Sequence, residues 1–221
     1  MNLSTALPYY FSSVRTLLFH SNAFICPLLF LQKPILIRID NGMRFYVSNL
    51  MDIWTLKEVI MDKQYERFIT LPTNGLIIDI GGAIGEFALY AAKNGNRVYA
   101  YEIDDERTKL FLKNKKINKL VGVSLHHMKA SSLDAIFKEN SIKKCDLLKI
   151  DCEGDEYPIF KNSSDQTLQK IESITMEYHL HNHLMKKEFK NLVQRLKKYY
   201  KIYHFPNQVH EYIGYLACQK K

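Results

Sequence analysis

Three groups of residues in this 221-residue chain have the types and spacing for chemistry. The first is Asp79-Ile80-Gly81-Gly82-Ala83-Ile84-Gly85, a glycine-rich turn between an apolar run and a helical pattern. Glycines there let a backbone approach a ligand where a side chain would clash, and the carboxyl ends of parallel strands are where an α/β sheet receives a nucleoside. The second is Glu102, which closes the next apolar run. An acid at that place accepts hydrogen bonds from ribose hydroxyls. The third is Asp146–Tyr157, with Asp151, Glu153, Asp155 and Glu156 crowded around Gly154. Carboxylates so close are costly to desolvate together, so at least one must pair with Lys149 or a substrate group, or face solvent.

The turn has the spacing G-G-x-x-G, not the G-x-G-x-x-G that cradles a pyrophosphate. An acid precedes it, which fits a cofactor with a positive sulfonium and an amino-acid part better than one with phosphates. The candidate cofactor-binding residues are Asp79, Gly81, Gly82, Ala83, Gly85, Glu102, Ile103 and Asp151, with Ala130 and Ser131 after the third core strand. His179, His181 and His183 alternate, and His126 and His127 are adjacent. That i, i+2, i+4 spacing on a loop is not a recognised ligand pattern and there is no C-x-x-C pair, so no metal is expected.

The elements that must hold these residues follow from periodicity. Residues 1–34 read as apolar and irregular, broken by Pro8, Pro27 and Pro34. Ile35–Ile39 and Met43–Val47 flank Asn41-Gly42 as a hairpin, and Asp52–Phe68 reads as a helix. Strands are expected at Leu76–Ile80, Arg97–Glu102, Val121–His127, Asp146–Asp151 and Ile171–Glu177. Helices are expected at Glu86–Lys93, from Asp104 to about Lys116, at Leu133–Glu139 and at Glu188–Tyr200, with closing strands at Ile202–Phe205 and Tyr212–Cys218. Strands alternating with helices imply an α/β fold with a doubly wound parallel sheet. The division expected is an extension over residues 1–70, a possible substrate lid, and a core over 71–221.

Residues 50–180 resemble the FkbM-family methyltransferases. The turn Asp79–Gly85 is similar to that family's D-[IV]-G-A-N-x-G, and Asp146–Tyr157 is close to its more specific D-L-L-K-I-D-x-E-G-x-E block. Tyr101-Glu102 and Glu177-Tyr178-His179 are similar to the ends of its second and fifth core strands, and Asp52–Glu66 to the helix before the first. Two departures are Gly82-Ala83 for the usual Ala-Asn, and Ile103 for the usual Pro. The resemblance implies a Rossmann-like class I fold, a mostly parallel seven-stranded sheet with a C-terminal antiparallel hairpin. It also implies S-adenosylmethionine as cofactor and methyl transfer to an oxygen of a sugar or natural-product hydroxyl. Such a hydroxyl needs a base within hydrogen-bond reach. The candidates are Asp151, Glu153 and His179, with Trp54 and Tyr65 placed to line the substrate entrance.

Composition bounds the alternatives. The net charge of +8 permits a nucleic-acid or anionic membrane partner, but the basic residues are spread at helical spacing, as on solvated helix faces. The acidic block also stands where a base-accepting motif would be needed, so a nucleic-acid methyltransferase is the weaker reading. A non-catalytic cofactor-binding scaffold is the other rival. Four cysteines without paired spacing fit a reducing, cytoplasmic setting. The apolar stretch Leu17–Leu31 is too short and interrupted to span a membrane, although Leu17, Leu18, Phe24 and Leu28–Leu31 could supply peripheral contact. The partner expected is a small-molecule or glycan acceptor.

Overall fold

The computed structural model describes residues 3–207 and 210–221. The chain opens with helix α1 (Leu3–His20), a 3-10 segment at Ala23–Leu31, and a hairpin of β1 (Ile35–Arg38) and β2 (Arg44–Val47). Helix α2 (Leu50–Leu56) runs on as a π turn over Lys57–Met61, and a 3-10 turn follows at Gln64–Glu66. The core alternates β3 (Leu76–Ile80), α3 (Glu86–Lys93), β4 (Arg97–Glu102), α4 (Asp105–Ile117), β5 (Val123–His127), α5 (Leu133–Glu139) and β6 (Cys145–Ile150). It continues through α6 (Glu156–Lys161), α7 (Asp165–Leu168), β7 (Ile171–His179), α8 (His183–Leu196), β8 (Tyr200–Pro206) and β9 (Ile213–Lys220).

The seven core strands lie in the order β5-β4-β3-β6-β7-β9-β8, parallel except for β9, which runs antiparallel to both β7 and β8. The central strands β3 and β6 carry almost unbroken apolar runs because helices cover both faces. The chain winds outward in opposite directions from β3 and β6. The loops at their carboxyl ends therefore part and leave a crevice, the usual ligand position in such sheets.

Residues 1–34 are more regular than their prolines imply. Pro8 lies inside α1 and Pro27 inside the 3-10 segment. A proline removes one backbone donor, and here tertiary contacts hold the turns around it. Lys57, buried at the start of the π turn, donates to Ser13 Oγ of α1 at 2.7 Å and pairs with Asp62 at 2.6 Å. Ala23, Leu17, Ile25 and Leu29 pack on the core cluster that also holds Ile77, Phe87 and Phe111, while Phe11, Phe19, Phe24 and Phe30 stay exposed. The helix expected over Asp52–Phe68 stops at Met61, where Lys63 turns left-handed at φ 52°. The last helix starts earlier than its apolar face indicates, because the Asn182 side chain caps it by accepting from Met185 N–H. Among the described residues no helix is long and apolar enough to cross a membrane.

Candidate active site

The glycine turn sits at the crevice between β3 and β6, and its shape is set by contacts inside the protein. Gly81 N–H and Gly82 N–H both donate to Tyr101 O of β4, at 3.0 and 2.9 Å. Asp151 N–H, just past β6, donates to Ile80 O at 2.9 Å. A Cβ on Gly81 would lie 1.6 Å from the Asp151 carbonyl oxygen, and one on Gly82 or Gly85 would press on the Phe111 ring at 3.0–3.1 Å. The glycines thus admit the chain just past β6 and helix α4, a packing reason that their sequence did not reveal. Ala83 takes a left-handed φ of 43°.

Glu102 fixes the far side of the turn. Its Oε2 accepts from Ala83 N–H at 2.7 Å, and its Oε1 from Ile103 N–H and Asp104 N–H at 2.9 and 2.8 Å. A carboxylate has about four lone-pair sites, so room for about one further donor remains. Beneath the turn, Asp79 is wholly buried, with Lys149 Nζ 3.0 Å from its Oδ1. The same ammonium donates to Gly81 O at 2.7 Å. Burial raises the Asp79 carboxyl above its ordinary range despite Lys149. Burial opposes the Lys149 charge, but Asp79, Asp151 and Glu86 more than restore it. Asp79 therefore props the turn through Lys149, and its carboxylate does not line the crevice.

The crevice is a cleft of about 890 Å³. Its walls include Tyr9 and Tyr10 of the extension, Trp54, Tyr65, the turn, Ala130, and the ends of β6 and β7. Glu58 Oε1 accepts from both Tyr9 Oη at 2.6 Å and Trp54 Nε1 at 3.0 Å, which ties α1 to the π turn at the cleft rim. Eight of the described lining residues are Asp or Glu, against one Arg and one Lys.

At the floor three ionisable groups converge. Asp151, Glu177 and His179 each present a ligand atom within 4.8 Å of the other two. Tyr65 Oη donates to Asp151 Oδ2 at 2.7 Å. Burial, then the Asp151 charge, lifts the Glu177 carboxyl to about 8. For His179 burial acts downward, but the hydrogen bond and charge of Glu156 outweigh it and raise the imidazole to about 9. Glu156 is itself buried, accepting from His179 N–H at 3.0 Å and Gly154 N–H at 2.8 Å. The dense acids of this block are thus separated. Glu156 is locked to backbone, Asp155 pairs with Lys129 at 2.8 Å, and the Glu153 side chain is 84% exposed.

Glu86, at the start of α3, was not singled out by its sequence. It is buried in the cleft wall, and its Oε2 has no hydrogen-bond partner. Burial lifts its carboxyl to about 7. The folded protein therefore holds this proton up to about pH 7, whereas the unfolded chain releases it near 4.5. Stability falls as pH rises through that window. The Glu86→Gln variant is expected to be about 1–3 kcal/mol more stable than the parent at pH 8, with the gap closing toward pH 4.5. Urea unfolding at several pH values measures it, and a gap independent of pH would rule out the buried carboxyl as its source.

Of the sequence candidates, Gly81, Ala83, Glu102, Ile103, Ala130, Asp151, Glu153 and His179 meet at the cleft, as do Trp54 and Tyr65. Asp79, Gly82 and Gly85 lie behind it, and Ser131 is exposed outside it. His181 and His183 are exposed, whereas His179 is buried. Strand alternation supplies a signal for Glu177: on β7 it shares a face with His179, two residues on.

A family model described as "Methyltransferase FkbM domain" matches residues 78–203, more than half the chain. No curated protein matches the sequence. Among solved structures, the fold is similar to that in the fibrillarin/Nop5p complex, at TM-score 0.57 and 13% identity over 74% of this chain and 81% of that one. SMU.1697c of Streptococcus mutans, in complex with SAH, aligns at TM-score 0.57 and 11% identity over 73% of this chain and 97% of that one. TrmK of M. capricolum, in complex with S-adenosyl-homocysteine, aligns at 0.54 and 21% over 73% and 68%. At such identities the likeness extends to the fold.

Proposed function

The chain belongs to the FkbM methyltransferase family and is an S-adenosylmethionine-dependent enzyme, and from that premise we propose that it methylates an oxygen of a sugar or natural-product hydroxyl. The observation that carries this reading is the Asp151–Glu177–His179 group at the floor of an acid-rich cleft. Such a cleft repels phosphates and favours a neutral polyol, which argues against a nucleic-acid acceptor in spite of the chain's net +8.

The residues present fit the cofactor. The unpartnered Oε2 of Glu86 is suited to the amino-acid ammonium, Glu102 retains room for a ribose hydroxyl, and the acidic walls favour a sulfonium charge. When bound, S-adenosylmethionine supplies an activated methyl group. The chain's own task is to align the acceptor hydroxyl and take its proton. Asp151 is placed for that, since Tyr65 fixes one of its oxygens and leaves the other to the cleft. Glu177 and His179 stand beside it, and their charge states bear on its own. Glu153 is too exposed to hold a fixed position, so it ranks last of the three candidate catalytic residues.

The test uses S-adenosylmethionine with a labelled methyl group and a panel of glycans, lipid-linked glycans, natural-product hydroxyls and RNA. Transfer to a glycan or natural product in a base-stable bond is expected, as for a methyl ether. Asp151→Asn should lower turnover at least about 100-fold while calorimetry shows the cofactor still bound. Label entering RNA alone would remove the reading, and unchanged turnover would remove Asp151. The exposed phenylalanines of the extension support peripheral membrane contact. A rate that does not rise when the same glycan is carried on vesicles would remove that contact. The four cysteines are all free thiols, which supports a cytoplasmic setting.

A further inference from the structure

We propose that Asp151, Glu177 and His179 bind one divalent cation of the Mg²⁺/Mn²⁺ class, which in turn holds two adjacent oxygens of the acceptor. This rests on the reading that the cleft methylates a hydroxyl. The two carboxylates and the imidazole come from the neighbouring strand ends of β6 and β7, and their ligand atoms lie within 4.8 Å of one another. An ion with bonds of about 2.1 Å draws adjacent ligands to roughly 3 Å, an adjustment within side-chain rotation.

The independent observation is the state of His179. Its side chain is 2% exposed. Nδ1 is turned to Glu156 Oε1 at 3.4 Å, and Glu156 is held by two backbone N–H groups. Nε2, facing the other two ligands, makes no hydrogen bond, and its nearest oxygens are Glu153 Oε2 at 3.4 Å and Glu177 Oε1 at 3.7 Å. An imidazole anchored through one nitrogen to a buried carboxylate, with the other turned to the carboxylates of the cleft, is how proteins orient a histidine toward a metal. An ion bound there would displace the proton that those acids hold on the ring.

Two carboxylates with one imidazole, and no thiolate among the three, suit Mn²⁺ or Mg²⁺ better than softer ions. Three protein ligands of an octahedral six leave open positions on the cleft side. Two adjacent hydroxyls of a sugar fill a pair of them, which selects vicinal diols among possible acceptors. The ion would lower the pKa of the bound hydroxyl, and the proton would pass to solvent water at the mouth of the cleft.

The experiment is titration of the chelator-treated full chain with Mn²⁺, without S-adenosylmethionine or acceptor, following free Mn²⁺ by electron paramagnetic resonance. One Mn²⁺ per chain is expected, with affinity reduced at least about tenfold in Glu177→Gln and in Asp151→Asn, and unchanged in the remote exposed Glu106→Gln. Mn²⁺ should also raise the melting temperature of the parent and not of the two site variants. Near-UV circular dichroism establishes that each variant is folded, and either site variant suffices. Absence of stoichiometric binding by the folded parent, or equal binding by parent and site variants, overturns the proposal. Neither substrate is present, so a failed methylation assay and a failed metal titration are separate results.

Discussion

Gly81→Ala is expected to cost about 4 kcal/mol or more of stability and to abolish cofactor binding, while Gly42→Ala costs only about 1 kcal/mol. The two glycines have nearly the same backbone angle, φ 82° and 85°. Both substitutions therefore incur the left-handed penalty of about 1–2 kcal/mol or less. They differ in what the new methyl meets. At Gly42 the nearest atom is Lys93 Nζ at 3.9 Å, the end of a flexible side chain. At Gly81 it is the Asp151 carbonyl oxygen at 1.6 Å. Neither side of that clash yields easily. Gly81 is tied to β4 through Tyr101 O and to Lys149 through its own carbonyl, and Asp151 is tied to β3 through Ile80 O. Relief means parting β3 from β6 at the point where the cleft opens. Urea unfolding of both variants, with calorimetric titration of S-adenosylmethionine, makes the comparison. Equal losses in the two variants would mean that backbone strain alone explains the glycine.

The same contact explains what was legible in the sequence. The run Leu76–Ile80, the turn after it and the helix Glu86–Lys93 were each readable, since a doubly covered strand is continuously apolar and a turn at positive φ needs glycine. The packing reason for Gly81 was not readable, because it lies in Asp151, seventy residues away. Asp79 was read as facing a ligand for a similar reason. Its partner Lys149 is its register neighbour on β6, and only strand order reveals that. A signal was nevertheless present: one lysine inside Leu147-Leu148-Lys149-Ile150, a strand buried on both faces, must find a buried acid. The histidines divide on the same principle. His179 ends a strand and inherits its buried face, whereas His181 and His183 lie beyond it and are solvated. Local periodicity placed the strands, but the pairing of charges across them depends on which strands are neighbours.

Lys149→Met is the second large effect, expected at about 3–5 kcal/mol near pH 8. The variant keeps the apolar length of the lysine and removes its charge, leaving Asp79 buried without a counter-ion. Loss of one partner of a buried pair is costly because the other cannot regain water, whereas replacing both by apolar groups is often neutral. The double variant Asp79→Leu/Lys149→Met should therefore be more stable than Lys149→Met alone. The pH dependence has a definite sign. Burial already raises the Asp79 carboxyl in the parent, and removing Lys149 raises it further. The folded single variant takes up this proton at a higher pH than its unfolded chain, so its deficit should shrink as pH falls. Cofactor binding separates stability from function. The double variant restores neutrality beneath the turn but not the ammonium that holds Gly81 O. Recovered stability with cofactor binding still weak would assign Lys149 to positioning the turn. Additive losses at every pH would mean that Asp79 and Lys149 do not act as a pair, and the basis for keeping a buried charge under this turn would have to be sought elsewhere.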